Sequence, residues 1–532
     1  MKLKNIFSSI GIVAVSVLAL SSCGDFLDEG PKTALTEKDI YSDTTKVEST
    51  LKKLYSNWEG TFKDRHLWEC MVGTDEIQSG AYQALMEDNN RRGALDMYNA
   101  LLTAELSYIT EPWTNRWPSV GEAAKIINAL KKADVEHNKD MARMFGEASF
   151  IRGCLNMELT LLYGRIPILD IARADELGYG RKPEKDVWQF IINDLENAAK
   201  YCPETNEVQR ATRYAANMML GYAYMSAPEA TGLRDFNKAK DALLIVVNGP
   251  FKLVNYADLF DYTKPNTKEA IFEWQFDPQT NPNQLQFQLG SRAAQNSFGG
   301  DGCYFAGYDH AVPTEWAYSD VADGGIWENG DKRKEESIRY DYTYMGVEAS
   351  LSGCLWENIG SDHDELKPHI KKYEDYRTDQ FSNFGINNMW NSGKNIPYLR
   401  YANAILLYAE CLNEIGQTPA AVKEVNKVRS RAWNFNLPAD KAWSEGMSKE
   451  QFRTDIMTER VRELFGERWR RFDLARTGKL VEAAKAHNKW TKRSGTIQAF
   501  NAIWPIPQTE INQNEDISQD DQNEGYKYLL NS

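Results

Sequence analysis

The sequence predicts a mainly α-helical protein, built on a scaffold of tetratricopeptide-like helical repeats that one large loop-rich insertion interrupts. Three observations predict this fold class. Two helical hairpins share one pattern, apolar residues recur every three or four positions elsewhere, and residues 249–397 lose that periodicity. A pair of amphipathic helices cannot bury its apolar face alone, so we expect the pairs to stack side by side.

The better-formed hairpin spans residues 400–432, and its length of about 33 residues is typical of one tetratricopeptide-like repeat. Gly416 is predicted to end its first helix, because glycine adopts a left-handed backbone conformation without steric cost. Thr418 is predicted to be the N-cap of the second helix, and Pro419 occupies the first helical position, where its missing N–H costs nothing.

The same periodicity predicts further helices along the chain. In order, they cover residues 46–58, 96–109, 120–132, 141–163, 187–201, 211–225, 236–247, 449–465, 467–476 and 479–487. Residues 211–225 and 236–247 form the second hairpin. Between the helical parts 41–248 and 398–532, turn residues are frequent in 249–397, and residues 270–276 alternate like a short strand.

The N-terminus has the features of an export signal. Lys2 and Lys4 precede an apolar run at residues 10–20 that is too short to span a bilayer. Residues 20–23 (LSSC) match the bacterial lipoprotein box. The sequence therefore predicts a signal peptide at 1–22, a lipidated Cys23 that anchors the protein, and a polar tether at 23–40. An ordinary secretory signal remains the alternative.

Composition excludes several classes of function. Of the 532 residues, 42% are hydrophobic and 26% are charged, and the net charge of −14 argues against a nucleic-acid partner. The six cysteines after Cys23 show no CxxC spacing, so no zinc site is predicted. Disulfides are allowed in an exported protein, but scattered buried thiols are favoured. His363 and His369 fit no metal-binding pattern. Nucleotide-binding and nucleophile-elbow motifs are absent, and no cofactor is expected. No metal-ligating residues are predicted, and a structural metal stays open.

Seven short segments, in order along the chain, carry a resemblance to a known family. They are CGDFLD at 23–28, GEASFIR at 146–152, YGRIPI at 163–168, DLENA at 194–198, YLRYA at 398–402, ERVREL at 459–464 with RFDL at 471–474, and PIPQTEI at 505–511. With these segments, the chain resembles the SusD/RagB family of outer-membrane lipoproteins from Bacteroidetes.

The resemblance implies a helical fold with four tetratricopeptide-like helix pairs and an irregular region that carries the binding site. It also implies a non-enzymatic role on the outer face of the outer membrane. Such a protein captures an oligosaccharide and passes it to a SusC-like TonB-dependent transporter. The acidic residues Asp25, Asp28 and Glu29 resemble the surface-export signal of this phylum.

The insertion supplies the chemistry that a sugar site needs. Residues 271–345 contain fourteen aromatic residues, which is dense for a chain with 12% aromatic residues. Rings stack on the C–H faces of a sugar, while neighbouring polar side chains bond its hydroxyls. The alternative is that these rings form a small local core. The ligand-binding candidates in the insertion are Trp274, Tyr304, Tyr308, Trp316 and Trp327.

An earlier loop, residues 68–82, is a second candidate region. In the family that the chain resembles, the corresponding loop often contributes ligand contacts beside the later insertion. Asp75 and Tyr82 are therefore predicted to contact ligand, with a plain helix cap as the competing interpretation. Residues 459–473 alternate acids and bases and are predicted to form ion-paired helix faces.

The sequence thus favours a cell-surface protein that binds an oligosaccharide and delivers it to a transporter. Peptide capture by a protein of the same transport type is the alternative among binding functions. A glycoside hydrolase is the alternative from another class, because neighbouring carboxylates such as Asp75 and Glu76 occur. A scaffold that makes only protein contacts is the third.

Overall fold

The structure is a computed structural model that describes residues 43–131, 135–170, 178–292, 306–339, 343–344, 347–348, 368–378 and 390–527. The predicted signal peptide, the tether with Cys23, and Tyr304 lie outside the described residues. Within these ranges, no helix combines the length and the apolar character that crossing a membrane requires.

The described part of the chain is mainly helical, which confirms the predicted fold class. The α-helices are α1 (Thr44–Gly60), α2 (Arg65–Glu69), α3 (Ala81–Leu85), α4 (Ala94–Met97), α5 (Ser107–Thr114), α6 (Trp117–Lys131), α7 (Lys139–Tyr163), α8 (Glu184–Tyr201), α9 (Arg213–Ser226), α10 (Phe236–Val247), α11 (Leu285–Leu289), α12 (Glu315–Tyr318), α13 (Arg333–Ser337), α14 (Tyr401–Glu414), α15 (Thr418–Ala432), α16 (Lys449–Leu464), α17 (Trp469–Arg476), α18 (Leu480–His487), α19 (Lys489–Ser494) and α20 (Gln508–Gln513).

The strands are short and pair two by two in antiparallel ladders. They are β1 (Ile77–Gln78), β2 (Ala270–Trp274), β3 (Val312–Pro313), β4 (Ile338–Arg339), β5 (Thr343–Tyr344), β6 (Val347–Glu348), β7 (His369–Ile370) and β8 (Ile396–Arg400). In the described residues, β1 pairs with β3, β2 with β8, β4 with β7 and β5 with β6.

The long helices form a continuous stack in which α6, α7, α8, α9, α10, α14 and α15 each pack against the next. Helix α7 is central, and every residue from Met144 to Tyr163 is buried. Its polar residues, such as Glu147 and Arg152, are buried as well, so neighbouring elements cover this stretch on all sides. A Cβ at Gly153 would lie 3.0 Å from Leu195 of α8, so this glycine allows a close crossing. Whether the pairs are tetratricopeptide-like stays a prediction.

The hairpin at residues 400–432 forms as expected, with one difference at its turn. Gly416 has a φ of +82°, the left-handed conformation that its position predicts. The N-cap of α15, however, is Gln417 rather than Thr418. The hydroxyl of Thr418 instead donates to Oδ1 of Asn413 at 2.8 Å, and so ties the two helices together across the turn.

The predicted helix at residues 96–109 is wrong, because α4 ends at Met97 and α5 begins only at Ser107. Tyr98 has a left-handed φ of 51°, and its hydroxyl donates to the carbonyl of Gly73. The buried carboxylate of Asp96 accepts from the backbone N–H of Gly73 at 2.8 Å and from that of Ser79 at 3.1 Å. Contacts with a distant loop thus override the local helical pattern.

The insertion shares its core with the helices. The first strand of the insertion, β2, pairs with β8 directly before α14. On this strand, Trp274 packs against Trp58 of α1, with ring centroids 5.3 Å apart, and against Phe272 at 4.7 Å. One hydrophobic cluster therefore extends from the first helix through the insertion to the C-terminal part of the described chain.

Buried ion pairs join the insertion to the C-terminal helices. Arg400 donates to Glu269 at 2.8 Å, to Glu463 at 2.9 Å and to Glu467 at 2.8 Å. We call the connected group the Arg400 network; its members are Glu269, Glu328, Asp331, Arg333, Lys372, Arg400, Arg429, Arg431, Glu459, Arg462, Glu463 and Glu467. The predicted ion pairing of residues 459–473 is confirmed, but most bonds connect different elements and lie in the interior rather than on a helix surface.

Candidate functional site

An open cleft of about 410 Å³ lies where the early loop, the insertion and the C-terminal helices meet. We call it the Trp316 cleft. Its lining combines two aromatic rings with amide, carboxylate, imidazole and ammonium groups. The lining residues are Gln78, Val312, Pro313, Glu315, Trp316, Tyr318, Asp323, Gly324, His487, Lys489 and Lys492.

A short ribbon brings distant parts of the chain to this cleft. In the antiparallel pair of β1 and β3, Ile77 lies opposite Pro313 and Gln78 lies opposite Val312. The backbone N–H of Thr314 extends the ribbon by donating to the carbonyl of Glu76 at 2.9 Å. The early loop therefore lies beside the insertion, although more than 200 residues separate them in sequence.

The aromatic floor of the cleft is formed by Trp316 and His487. Thr314 caps α12 by accepting from the N–H of Ala317 at 3.3 Å, which fixes the start of the short helix that carries Trp316. The half-buried indole stacks on the imidazole of His487, with centroids 4.5 Å apart and planes at 22°. Burial lowers the pKa of His487, so the imidazole is neutral near pH 7. The imidazole therefore covers one face of the indole, and the stacked pair is a flat, uncharged platform.

Asp75 supports this platform rather than facing the cleft, which corrects the expectation that it contacts ligand. Its carboxylate is buried and accepts from Nε of Arg470 at 2.8 Å. The guanidinium of Arg470 in turn lies 5.8 Å from the ring of Trp316. A buried carboxylate requires an opposite charge, and this requirement directs Asp75 inward.

The rim of the cleft is polar and its charges balance. Glu315 and Asp323 contribute two carboxylates, and Lys489 and Lys492 contribute two ammonium groups. The side-chain oxygen of Gln78 accepts from the backbone N–H of Lys489 at 3.0 Å, which holds its amide at the edge. Flat rings surrounded by donors and acceptors without a net charge match an uncharged ligand with many hydroxyls.

Tyr82 and Tyr308 lie in neighbouring segments but outside the lining of the Trp316 cleft. The N–H of Gly80 donates to the carbonyl of Asp309 at 3.0 Å, so the two segments are adjacent. Both tyrosines are half-buried. The ring of Tyr82 lies 3.8 Å from the guanidinium of Arg292, and the ring of Tyr308 packs edge-on against Phe287 at 4.4 Å. Their roles in binding stay predictions.

Trp274 and Trp327 are fully buried, which corrects the expectation that they face a ligand. Trp274 belongs to the core described above. Trp327 lies under the cleft, where its indole N–H donates to the carbonyl of Ala317 at 2.8 Å and supports α12 from inside. Burying a large ring contributes about 1.5–3 kcal/mol, which favours the interior wherever the backbone allows it.

Sequence reasoning missed His487 and Lys489, which flank the buried Asn488. The side chain of Asn488 caps α19 by accepting from the N–H of Trp490 at 3.0 Å. Its amide also donates to the carbonyl of Thr74 at 3.1 Å, so the turn between α18 and α19 is fixed against the early loop. The only sequence signal near His487 and Lys489 was the helix-capping residue Asn488, which indicates the start of a helix and not a binding site.

Glu76, next to Asp75, predicts a specific pH dependence of stability. Its buried carboxyl accepts from the N–H of Gly466 at 2.8 Å, and burial raises its pKa to about 8. Because the ordinary value is 4.5, folding favours the protonated form. The stabilisation from Glu76 is complete below pH 4.5 and is lost as the pH rises towards 8.

We expect Glu76→Gln to be more stable than the wild type at pH 9, by about 2–4 kcal/mol, and to match it near pH 4.5. Glutamine keeps the acceptor for Gly466 and has no charge to desolvate. Urea denaturation at several pH values measures the difference. Glu315→Gln, which removes an exposed carboxylate, is the matched control. A gap between Glu76→Gln and the wild type that does not widen with pH would contradict the prediction.

The fold and the cleft together define a class of protein: a mainly helical scaffold that carries an open aromatic cleft on inserted loops. A family model described as the SusD family matches residues 268–526, and a model described as starch-binding associating with outer membrane matches residues 25–225. The chain belongs to the SusD family.

Individual relatives agree over most of the chain. SusD-like protein P2 of Formosa agariphila is 24% identical over 522 residues, which cover 94% of this chain and 97% of the relative. The starch-binding protein SusD of Bacteroides thetaiotaomicron is 24% identical over 429 residues, covering 72% of this chain and 73% of that protein. A solved laminarin-binding SusD-like protein superimposes with a TM-score of 0.70 at 19% identity, covering 91% of this chain and 99% of that one.

Proposed function

We propose that this protein is a cell-surface lipoprotein that binds a neutral oligosaccharide in the Trp316 cleft. The observation that carries the proposal is the flat, uncharged platform of Trp316 on His487, inside a rim whose charges balance. A sugar ring stacks on such a platform with its C–H face, and its hydroxyls reach the rim. The names of relatives that bind starch and laminarin support this ligand class.

Binding without hydrolysis is the function that the burial of Asp75 and Glu76 supports best. A glycosidase needs two carboxyl groups on either side of the scissile bond. Asp75 is buried against Arg470, and Glu76 is buried with its oxygen on the N–H of Gly466. Asp75 and Glu76, the pair that suggested a hydrolase in the sequence, are therefore already bonded to protein groups in the interior.

The proposal extends to where the protein acts and with which partner. Lipid on Cys23 would anchor it to the outer membrane, and captured ligand would pass to a SusC-like TonB-dependent transporter. The lipoprotein box and the family description of association with the outer membrane support this part. Labelling of cells with a fatty-acid analogue tests the anchor, and co-purification with a transporter barrel tests the partner.

Trp316→Ala is the decisive variant for the ligand site. We expect it to weaken binding by about 1–3 kcal/mol, or roughly 5- to 150-fold, because a stacked ring is lost. Isothermal titration calorimetry against plant, host and microbial oligosaccharides measures the effect. Trp316→Phe, which keeps a smaller ring, should fall between Ala and the wild type.

Phe435→Ala is the matched control, because it removes an exposed ring outside the Trp316 cleft. We expect its affinity to equal that of the wild type. Equal affinities for Trp316→Ala and the wild type would contradict the site. If no saccharide binds and an oligopeptide does, the proposed ligand class is wrong and peptide capture replaces it.

A further inference from the structure

We propose that a second saccharide-binding site lies on the ridge formed by Tyr262 and Tyr376, and that it takes a neutral oligosaccharide. Two adjoining clefts, of about 270 and 350 Å³, meet at this ridge. Four residues line both clefts: Phe260, Asp261, Tyr262 and Lys394. None of the residues that line these two clefts lines the Trp316 cleft. The inference rests on the proposed function, because it assigns a second site for the same class of ligand.

Aromatic rings form the ridge between the two clefts. Tyr376 is 43% exposed, a high degree among the aromatic residues that the structure describes. It meets Tyr262 edge to face, with centroids 5.1 Å apart and planes at 78°. The guanidinium of Arg377 lies 4.1 Å from the ring of Tyr262 and is held by the carboxylate of Asp375 at 2.6 Å. The two rings therefore have fixed orientations, as stacking on successive sugars of a bent chain requires.

A network of amides and a carboxylate forms the polar wall of the smaller cleft. The amide of Asn395 donates to Glu273 at 3.0 Å and to Gln275 at 2.9 Å, and its oxygen accepts from the N–H of Phe276 at 2.9 Å. Asn266 and Gln275 exchange amide hydrogen bonds at 2.8 and 3.0 Å. Planar groups held in place by one another are prepared to bond sugar hydroxyls at little entropic cost.

Most of the cations that line these clefts are paired with carboxylates, which favours a neutral ligand over an anionic one. Arg339 pairs with Glu374, Lys371 lies 3.7 Å from Glu336, and Lys264 lies 3.7 Å from Asp261. A site for a phosphate or an acidic sugar needs cations that are not neutralised by carboxylates.

Lys394 lines both clefts and fits the same ligand class. Its ammonium donates to the carbonyl of Glu374 at 2.9 Å, and burial lowers its pKa to about 8. At pH 8 the side chain of Lys394 is therefore neutral in about half of the molecules, by the definition of pKa. Lys394 thus places an N–H donor between the two clefts, next to the ridge.

The test uses the Trp316→Ala variant of the full chain, so that binding at the first cleft is weakened. Its titration with a laminarin tetrasaccharide and a starch-derived tetrasaccharide is followed by ¹⁹F NMR after incorporation of fluorotyrosine. Tyr262→Phe and Tyr376→Phe identify the two resonances. We expect both resonances to shift saturably, with midpoints within twofold of those in the chain with Trp316 intact. Tyr376→Ala should weaken this binding about tenfold or more, while Phe435→Ala leaves it unchanged.

The outcomes separate this inference from the proposed function. If calorimetry shows binding that Trp316→Ala weakens, but the Tyr262 and Tyr376 resonances do not move, the second site is wrong and the first stands. If the resonances move only when Trp316 is present, their shifts are caused by binding at the Trp316 cleft, and the inference is also wrong. Binding of neither saccharide by the wild type would count against both. A shift caused by an oligopeptide alone would replace saccharide by peptide at the ridge and overturn the inference.

Discussion

Replacing Glu463 by alanine is expected to lower the free energy of unfolding by about 3–5 kcal/mol, a large fraction of the stability of a typical protein. Glu463 bonds Arg400 at 2.9 Å and Arg333 at 3.2 Å, and it also pairs with Arg431. All four side chains are buried. Without the carboxylate, three guanidinium groups remain in the interior with less compensating charge, which is the costly step.

Chemical denaturation measures this effect, and two further variants isolate its cause. Glu450→Ala, on the same helix but with a 77% exposed side chain, should change stability by less than about 1 kcal/mol. Glu463→Gln keeps the volume and one acceptor oxygen, so it should fall between Ala and the wild type. Equal stability of Glu463→Ala and Glu450→Ala would show that the Arg400 network does not stabilise the fold.

The neighbouring arginines also hold the pKa of Glu463 well below its ordinary value of 4.5, against the opposing effect of burial. The stabilisation that depends on its charge is therefore complete above pH 4.5 and is lost as the pH falls below it. The stability gap between the wild type and Glu463→Ala should narrow in acid. This sign is opposite to that at Glu76, where folding favours the protonated form.

Trp274→Ala is expected to destabilise the protein by about 3–5 kcal/mol and to leave saccharide affinity unchanged. The indole is fully buried and packs within 5.3 Å of the rings of Trp58 and Phe62, and the cavity left behind cannot be filled by small side-chain movements. Thermal unfolding and calorimetry on the same preparation measure the two quantities separately.

Trp316→Ala is the complementary variant, because its half-buried ring lies in the cleft. It should lose affinity and little stability. The two tryptophans belong to the same insertion and had the same predicted role, so their opposite phenotypes would follow from burial alone. If Trp274→Ala lost affinity at full stability, the assignment of Trp274 to the core would be wrong.

Much of the helical scaffold could be predicted because its signals are local. The helices at residues 141–163 and 236–247 are visible in apolar spacing, and the turn at Gly416 is visible in one residue type. The segment at residues 96–109 failed for a physical reason. Asp96 and Tyr98 bond backbone groups of the loop at residues 73–79, and no local pattern contains that partner.

The candidate site could be predicted only in outline. The density of aromatic residues pointed to the insertion, and the family resemblance pointed to the early loop. In the structure, the pairing of β1 with β3 brings these two regions together. Which rings are exposed depends on their surroundings. Trp316 lines the cleft and Trp327 lies beneath it, although the two are only eleven positions apart in a segment of similar composition.

The amino-acid sequence was sufficient for the helical class of this protein, its family resemblance and the composition of its insertion, since each of these follows from neighbouring residues. Folding in three dimensions was needed to turn Asp75 inward, to place His487 under Trp316 and to bury Trp274. Each of these outcomes depends on a partner far away in sequence, and burial energies of a few kcal/mol choose between a ring in the core and a ring in a cleft. The helical pattern at residues 400–432 therefore predicts a part of the scaffold, and long-range packing selects the side chains that can meet a ligand.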